Sequence, residues 1–227
     1  MNIRYLGHSC FLLDINGHQV LLDPFISVNP LAKGKIKLED IKPDYILLTH
    51  GHGDHVGDVE GLALANGALV IGNFEVTNWF ADKSCRVMAL NIGGKHKFIF
   101  GEVRMLSAVH SSTMPDGSDG GMPNGYLIKT TTSTVYIAGD TGLSMEMTLI
   151  PKYYGRPNMS ILPIGDTFTM GYEDAIIAAG LVECNKVVGC HFDTFPPIVI
   201  DHDVVKKAFE DKGIELILPS INQIFSI

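Results

Sequence analysis

Hydrophobic residues along this chain fall into short runs that are separated by turns. The first runs lie at 3–6, 9–14 and 18–23, and the last two are joined at Asn16-Gly17, a typical hairpin turn. The next run, 44–49, is apolar without alternation, which favours a strand buried on both faces. Apolar residues then recur at helical spacing and predict a helix at about 56–66.

The rest of the chain continues to mix strands and helices. Further strands are predicted at 68–71, 86–90, 95–100, 103–109, 125–131, 134–139, 159–164, 186–190 and 214–218. Further helices are predicted at about 74–82, 143–152, 172–182 and 202–212. The strands within 86–109 are expected to form hairpins, the second turning at Gly101, and residues 111–124, rich in Gly, Ser and Pro, are expected to form a loop.

Each half of the chain runs from hairpins into an alternation of strands and helices. Two such halves predict an α/β (α+β) fold, a four-layer αββα sandwich with two mixed sheets inside and helices outside. The chain has 227 residues, of which 46% are hydrophobic. A chain of this size buries about 70% of its unfolded surface, so we expect a single domain over residues 1–227.

Charge and composition limit the kinds of molecule that the chain is expected to bind. The formal net charge is −8, which argues against nucleic-acid binding and leaves a small molecule as the expected substrate. No apolar run is long enough to span a membrane and no apolar leader is visible, so a cytoplasmic protein is expected, whether monomer or homo-oligomer. The four cysteines show no C-x-x-C spacing and are expected to be free thiols. Lys33, Lys35 and Lys37 are interpreted as a solvated face.

The most informative chemical pattern is HGHGDH at 50–55, directly after the buried run 44–49. Three histidines and an aspartate in six residues have no role in packing but are typical metal ligands. The two glycines are expected to give the backbone the freedom to wrap around an ion. The first two histidines can then face one centre, and the aspartate and third histidine an adjacent one.

Three other predicted strands also end in a possible metal ligand. His110, Asp140 and His191 follow the strands 103–109, 134–139 and 186–190. Ligands of open α/β sheets gather beyond the carboxyl ends of strands, so these residues are expected to complete the site. The predicted metal ligands are His50, His52, Asp54, His55, His110, Asp140 and His191. Nitrogen and oxygen donors suit Zn²⁺ and tolerate Mn²⁺ or Fe, and seven donors are too many for one tetrahedral ion, so two divalent metal ions are expected.

This arrangement resembles the metallo-β-lactamase superfamily, in which a motif H-x-H-x-D-H is followed by a separate His, Asp and His. The flanking segments are similar to its branch of metal-dependent hydrolases, which is akin to the ascorbate-6-phosphate lactonases and the N-acylphosphatidylethanolamine phospholipases. These segments are GHSCF at 7–11, LDP at 22–24, IGDTFTMG at 164–171 and HFDTFP at 191–196. The resemblance covers nearly the whole chain.

The resemblance implies how the ligands divide between the metals. It assigns His50, His52 and His110 to the first metal, Asp54, His55 and His191 to the second, and Asp140 to both. Water between two metals can ionise near pH ~7 and act as the nucleophile. Asp54 and Asp140 would thus be catalytic as ligands that hold this water, and the bond attacked would be an ester, lactone or phosphodiester of a small molecule.

Three further residues have two interpretations each. His8, on a turn near the N-terminus, is either structural or part of the site. Asp23, at the end of the third run, either caps a turn or orients a ligand histidine, and the resemblance favours the second role. Asp166 follows strand 159–164 and either lines the site or caps the next turn.

Other functions share part of this pattern. A nuclease of the same superfamily would need a basic clamp, which this chain does not show. A mononuclear iron dioxygenase or a glyoxalase relative shares the motif at 50–55, although the flanking segments resemble those enzymes less. A binding scaffold without activity is disfavoured because such copies usually lose ligands, whereas all seven donors are present here.

Overall fold

Fourteen strands form two sheets of seven strands each in the computed structural model, which describes residues 1–227. The first sheet contains β1 (Asn2–Gly7), β2 (Cys10–Ile15), β3 (His18–Leu22), β4 (Tyr45–Leu47), β5 (Leu69–Gly72), β6 (Arg86–Ala89) and β14 (Ile224–Ser226). The second contains β7 (Lys95–Phe98), β8 (Gly101–Ser107), β9 (Asn124–Lys129), β10 (Thr134–Ile137), β11 (Met159–Pro163), β12 (Lys186–Cys190) and β13 (Glu215–Ile217). Their spatial orders are β14-β1-β2-β3-β4-β5-β6 and β13-β12-β11-β10-β9-β8-β7.

The fold contains five α-helices, and the last four of them cover the outer faces of the sheets. They are α1 (Gly53–Val56), α2 (Val59–Asn66), α3 (Phe74–Ala81), α4 (Tyr172–Leu181) and α5 (His202–Glu210). The predicted helix 56–66 is divided before Val59, where the buried carboxylate of Asp58 accepts backbone hydrogen bonds from Ile26 and Ser27. None of these helices has the length and apolar character needed to cross a bilayer.

Three clusters of buried side chains hold the layers together. One lies between the sheets and includes Phe11 and Ile161. The second joins the first sheet to α2 and α3, and the third joins the second sheet to α4 and α5. Strands such as β11 are buried at every position because both faces of the sheet are covered, which explains why the apolar runs do not alternate. The predicted four-layer αββα sandwich is confirmed.

Some local predictions differ from the structure. Segment 86–90 does not form a hairpin with 95–100, because β6 pairs in parallel with β5 at the edge of the first sheet while β7 belongs to the second. Leu90 and Ile92 pack on the core where the chain crosses between the sheets. The predicted helix 143–152 is a 3₁₀ turn followed by a π turn, since Pro151 lacks the N–H that an α-helix would use. The strand β14 was not predicted. All four cysteines are buried and unpaired, as predicted.

One edge of the sandwich collects the ends of many strands. Strands β3 to β6 run parallel to one another, and so do β10 to β13. Through antiparallel neighbours, β1 and β8 also end at this edge. The backbone N–H of His191 donates to the carbonyl of His8 at 3.1 Å and joins the two sheets there. We call this edge, with the loops that follow β1, β3, β4, β8, β10, β11 and β12, the site edge.

Candidate metal centre

The loop after β4 carries the motif HGHGDH and packs tightly against the loop after β8. A Cβ at Gly51 would lie 2.5 Å from the sulfur of Met114, so this position requires glycine because of close packing. A Cβ at Gly53 would meet nothing within 4 Å, and Gly53 simply begins α1. Neither glycine has a positive φ. The expectation that both supply unusual backbone freedom is therefore wrong.

The carboxylate of Asp140 lies at the middle of the histidines at the site edge. Its Oδ2 is 3.0 Å from His191 Nε2, 3.2 Å from His55 Nε2, 3.8 Å from His110 Nε2 and 3.9 Å from His50 Nε2. These four imidazoles come from the ends of strands in both sheets. Asp140 is thus the one group that reaches all of them.

The possible ligand atoms form sets that share members. They are His50, His52 and His110; His8, Asp54, His55 and His191; and His50, His55 and Asp140. Within each set the atoms lie within 4.8 Å of one another. The structure therefore brings together all seven predicted ligands and adds His8, and Asp140 lies between the first two sets.

Several buried polar atoms in this cluster lack a hydrogen-bond partner. Six buried side-chain atoms of the chain are unpartnered, and three of them are His55 Nε2, Asp140 Oδ1 and His191 Nδ1. Buried polar groups are nearly always paired, so such a concentration needs an explanation. Nitrogen and carboxylate oxygen atoms directed at one another are the ligands that divalent transition metals prefer. The residues present thus fit bound cations.

The electrostatics of the cluster divide the histidines into two kinds. Burial lowers the pKa of His50 well below its usual value, and it also lowers the pKa of His52 and of His110. These imidazoles are neutral at pH 7 and have a free lone pair. Burial would lower the pKa of His55 as well, but the neighbouring carboxylates of Asp140 and Asp23 outweigh it and raise that pKa well above its usual value. Without metal, His55 is therefore protonated.

Comparison with known proteins places the chain in a family. A sequence profile for the beta-lactamase superfamily domain matches residues 2–191. A protein named UPF0173 metal-dependent hydrolase from Christiangramia forsetii is 47% identical over 98% of both chains. Its namesake from Flavobacterium johnsoniae is 45% identical, again over 98% of both. The chain belongs to the UPF0173 family.

A solved structure with a related sequence has the same fold. Igni18, described as a novel metallo hydrolase from the archaeon Ignicoccus hospitalis, shares 33% identity with the UPF0173 chain. The TM-score is 0.89, and the alignment covers 100% of both chains. The resemblance to the metallo-β-lactamase superfamily, based on its motifs, is confirmed.

Asp23 contacts the imidazole of His55 on the nitrogen that faces away from Asp140 in this UPF0173 protein. Its buried carboxylate places Oδ2 2.9 Å from His55 Nδ1 and accepts a hydrogen bond from the Thr49 hydroxyl at 2.7 Å. Its Oδ1 accepts the backbone N–H of Thr49 at 2.8 Å. The contacts of Asp23 therefore match both interpretations given above. Asp23 bonds the turn at Thr49, and it also holds His55 with Nε2 facing Asp140. No motif in the sequence singles out Thr49.

We expect Asp23→Asn to weaken metal affinity, or activity, by roughly 10–100-fold, because the amide nitrogen that replaces one carboxylate oxygen donates hydrogen bonds and cannot accept those that the oxygen accepts now. Metal affinity measured by competition with a chelating dye tests this. Asp44→Asn is the control, because Asp44 also lies beside a histidine, His18, but is exposed. Unchanged affinity in Asp23→Asn, with an unchanged fold by circular dichroism, would leave Asp23 only its role in the turn.

His8 belongs to the cluster and holds Asp54. Its Nε2 lies 3.1 Å from Asp54 Oδ2 and its Nδ1 lies 2.9 Å from the hydroxyl of Thr194. Burial lowers the pKa of His8 to about 4, so the ring is neutral at pH 7. Burial would raise the pKa of Asp54, but the hydrogen bond to His8 and the charge of His55 lower it. Thr194 lies in the motif at 191–196, yet the sequence alone assigned it no role.

Asp166 is not part of the cluster. The residue is exposed, and its side chain accepts a hydrogen bond from the N–H of Thr167 at 2.7 Å. Both residues have positive φ, 62° and 57°, in the turn that follows β11. The structure shows a capping contact for Asp166, and a role of this residue at the site stays a prediction.

Proposed function

We propose that this UPF0173 protein is a metal-dependent hydrolase that uses two divalent ions, zinc foremost and manganese or iron as alternatives, to cleave an ester, lactone or phosphodiester bond of a small molecule. The observation that carries the proposal is the position of Asp140 between two sets of imidazoles, with unpartnered buried atoms around it. The names of the relatives and of Igni18 support the same reaction class.

The chain would hold the ions with groups that are already arranged for it. Two bound divalent cations supply an ionisable water and polarise the oxygen of the bond to be cleaved. His50, His52 and His110 offer lone pairs without first losing a proton, and Asp140 balances the charge of both ions. His52, Asp54 and His110 are only partly buried, so the substrate would enter on their side of the cluster.

The first test measures how many metal ions the protein holds and whether its activity requires them. Protein purified without chelator should contain two divalent ions per chain by elemental analysis, and removal by chelator should abolish hydrolysis of a reactive ester. Re-addition of zinc, manganese or iron, each alone, identifies the metal that restores the rate. Active protein that never holds more than one ion would contradict the mechanism with two metals.

Metal binding should depend on pH in a defined direction. The raised pKa of His55 means that it keeps its proton at neutral pH until a metal displaces it. Affinity should therefore rise about tenfold per pH unit through the neutral range, with one proton released on binding at that set. His50, His52 and His110 have lowered pKa values and should begin to compete with metal only below their usual value of about 6.5.

Calorimetric titration of the metal-free protein in two buffers of different ionisation heat measures this proton release. The activity profile adds a second signature, because added metal should restore the part of the acid-side loss that comes from metal release. It should not restore the part that reflects ionisation of water near pH ~7. A profile that is flat from about pH 5 to 9 and unaffected by chelator would overturn the proposed function.

A further inference from the structure

Several exposed hydrophobic side chains lie at the site edge, in the same loops as the candidate metal ligands or in neighbouring ones. Six of them lie in loops of the site edge and are between 52% and 73% exposed. They are Val28, Val109, Met122, Met145, Phe168 and Val199. Scattered exposed apolar residues are ordinary, but a group gathered at the edge that holds the candidate site indicates what the site contacts.

The loops that carry these side chains are bonded to one another. The loop after β10 contacts the loop after β8 through the N–H of Gly142 and the carbonyl of Val109, at 3.0 Å. It contacts the loop after β11 through the N–H of Met170 and the carbonyl of Thr141, at 2.9 Å. The hydroxyl of Thr167 donates to a backbone carbonyl of the loop after β12 at 3.0 Å. Apart from Val28, which lies in the loop after β3, the apolar side chains are therefore held on a connected rim.

The stretches of these loops that carry the apolar side chains and the candidate ligands contain no positively charged residue. Residues 24–32, 50–58, 108–123, 140–149, 165–170 and 191–201 contain nine Asp or Glu residues and no Lys or Arg. All ion pairs of the cluster are between histidine and aspartate. Enzymes that bind phosphate groups usually offer arginine, lysine or a helix N-terminus to them. Apart from the metals, these stretches therefore offer a phosphodiester no positively charged side chain.

The run of exposed lysines at 33, 35 and 37 does not fill this gap. The carbonyl of Lys35 accepts a hydrogen bond from Asn222, whose backbone N–H donates to the carbonyl of Tyr5 in β1. This places the run beside β1 and β14, at the border of the first sheet. None of the three lysines forms an ion pair with a residue of the cluster.

We propose that the substrate is an uncharged ester or lactone with an apolar chain, and that the rim at the site edge binds this chain. This proposal rests on the hydrolase function proposed above and chooses among the bonds considered there. The rim would remove apolar substrate surface from water, and the carboxylates of the loops would disfavour anionic competitors.

The experiment compares compounds with one leaving group. Metal-loaded protein is assayed with 4-nitrophenyl acetate, butyrate and octanoate and with bis(4-nitrophenyl) phosphate, with and without chelator. Each kcat/KM is divided by the uncatalysed rate constant of that compound. This ratio should rise roughly two- to fourfold per added methylene, because burial of each one is favourable, and should be lowest for the charged diester.

Two matched variants locate the effect. Phe168→Lys replaces an apolar rim residue by a cation, and Ile99→Lys does the same at a residue that is 75% exposed in the turn between β7 and β8, at the opposite edge. Phe168→Lys should lower kcat/KM for the octanoate about fivefold or more and raise it for the diester, while Ile99→Lys should change neither. Binding of Nile red, an uncharged apolar dye, to metal-free protein should weaken only in Phe168→Lys.

The outcomes separate this proposal from the function on which it rests. A preference for the diester, ratios that do not rise with chain length, or equal effects of the two variants would overturn the uncharged apolar substrate and leave the hydrolase intact. If protein that holds two metals cleaves none of the four compounds in a chelator-sensitive way, the hydrolase and the substrate class fall together.

Discussion

Asp140→Ala should remove nearly all hydrolytic activity and weaken the binding of both metals. Asp140 Oδ2 lies within 4 Å of four imidazoles from both sheets, so the substitution removes the one carboxylate that the two sets share. We expect kcat/KM to fall roughly 10³-fold or more, which corresponds to about 4 kcal/mol of lost stabilisation. Metal content after dialysis and steady-state rates measure the two effects.

Asp82→Ala is the matched control for this experiment. Asp82 is exposed and follows α3, which packs on the outer face of the first sheet. Its replacement should leave metal content and rates within about twofold of the wild type, as is usual for surface substitutions. Two metals bound with unchanged affinity in Asp140→Ala would show that this carboxylate is not shared between them.

Gly165→Ala should displace His191 and destabilise the protein. A Cβ at Gly165 would lie 2.0 Å from the carbonyl oxygen of His191 and 3.0 Å from Cβ of Ile198. The backbone of His191 has little freedom to move, since its φ is 55° and its N–H is bonded to the carbonyl of His8. We expect a loss of about 1–3 kcal/mol in the free energy of unfolding. A ligand moved by about 1 Å should also lower the rate by roughly 10²-fold.

Urea unfolding and metal content of the two variants Gly165→Ala and Gly180→Ala test this. Gly180 lies in α4, and a Cβ there meets nothing within 4 Å. Alanine should therefore raise helix stability at this position by roughly 0.5–1 kcal/mol. Equal stability and equal metal content in the two variants would mean that the backbone near His191 adjusts without cost.

The fold could be predicted well where an apolar run without alternation indicates a strand that is buried on both faces. Runs such as 44–49 and 159–164 correspond to β4 and β11, which lie between a helix layer and the other sheet. The sequence does not show which strands pair with each other. For example, the composition of β6 is compatible with pairing to β5 or to β7. The short strand β14 was missed because three residues carry no periodic pattern, and its partner β1 lies more than 200 residues away.

The sequence predicts those ligands of the candidate site that lie together in one motif or that directly follow a strand. The roles of His8 and Asp23 stayed open because their contacts are distant in sequence: Thr194 is 186 residues from His8, and His55 is 32 residues from Asp23. Asp166 obeys the same strand-end rule as Asp140 but faces solvent, since the turn after β11 has a left-handed backbone. The direction of a side chain after a strand depends on such turns, and the composition of this turn does not reveal it.

Because the candidate centre takes residues from position 8 to position 191, it has consequences for the order of folding during synthesis. Strands β1 to β6 of the first sheet and the motif at 50–55 leave the ribosome long before β12, so the histidines of the motif are synthesised well before Asp140 and His191. Domains generally fold as units as they emerge, and this one lacks the contact between His191 and His8 until then. Metal would be captured only by the nearly finished chain, and capture would stabilise the docking of one sheet on the other through mass action.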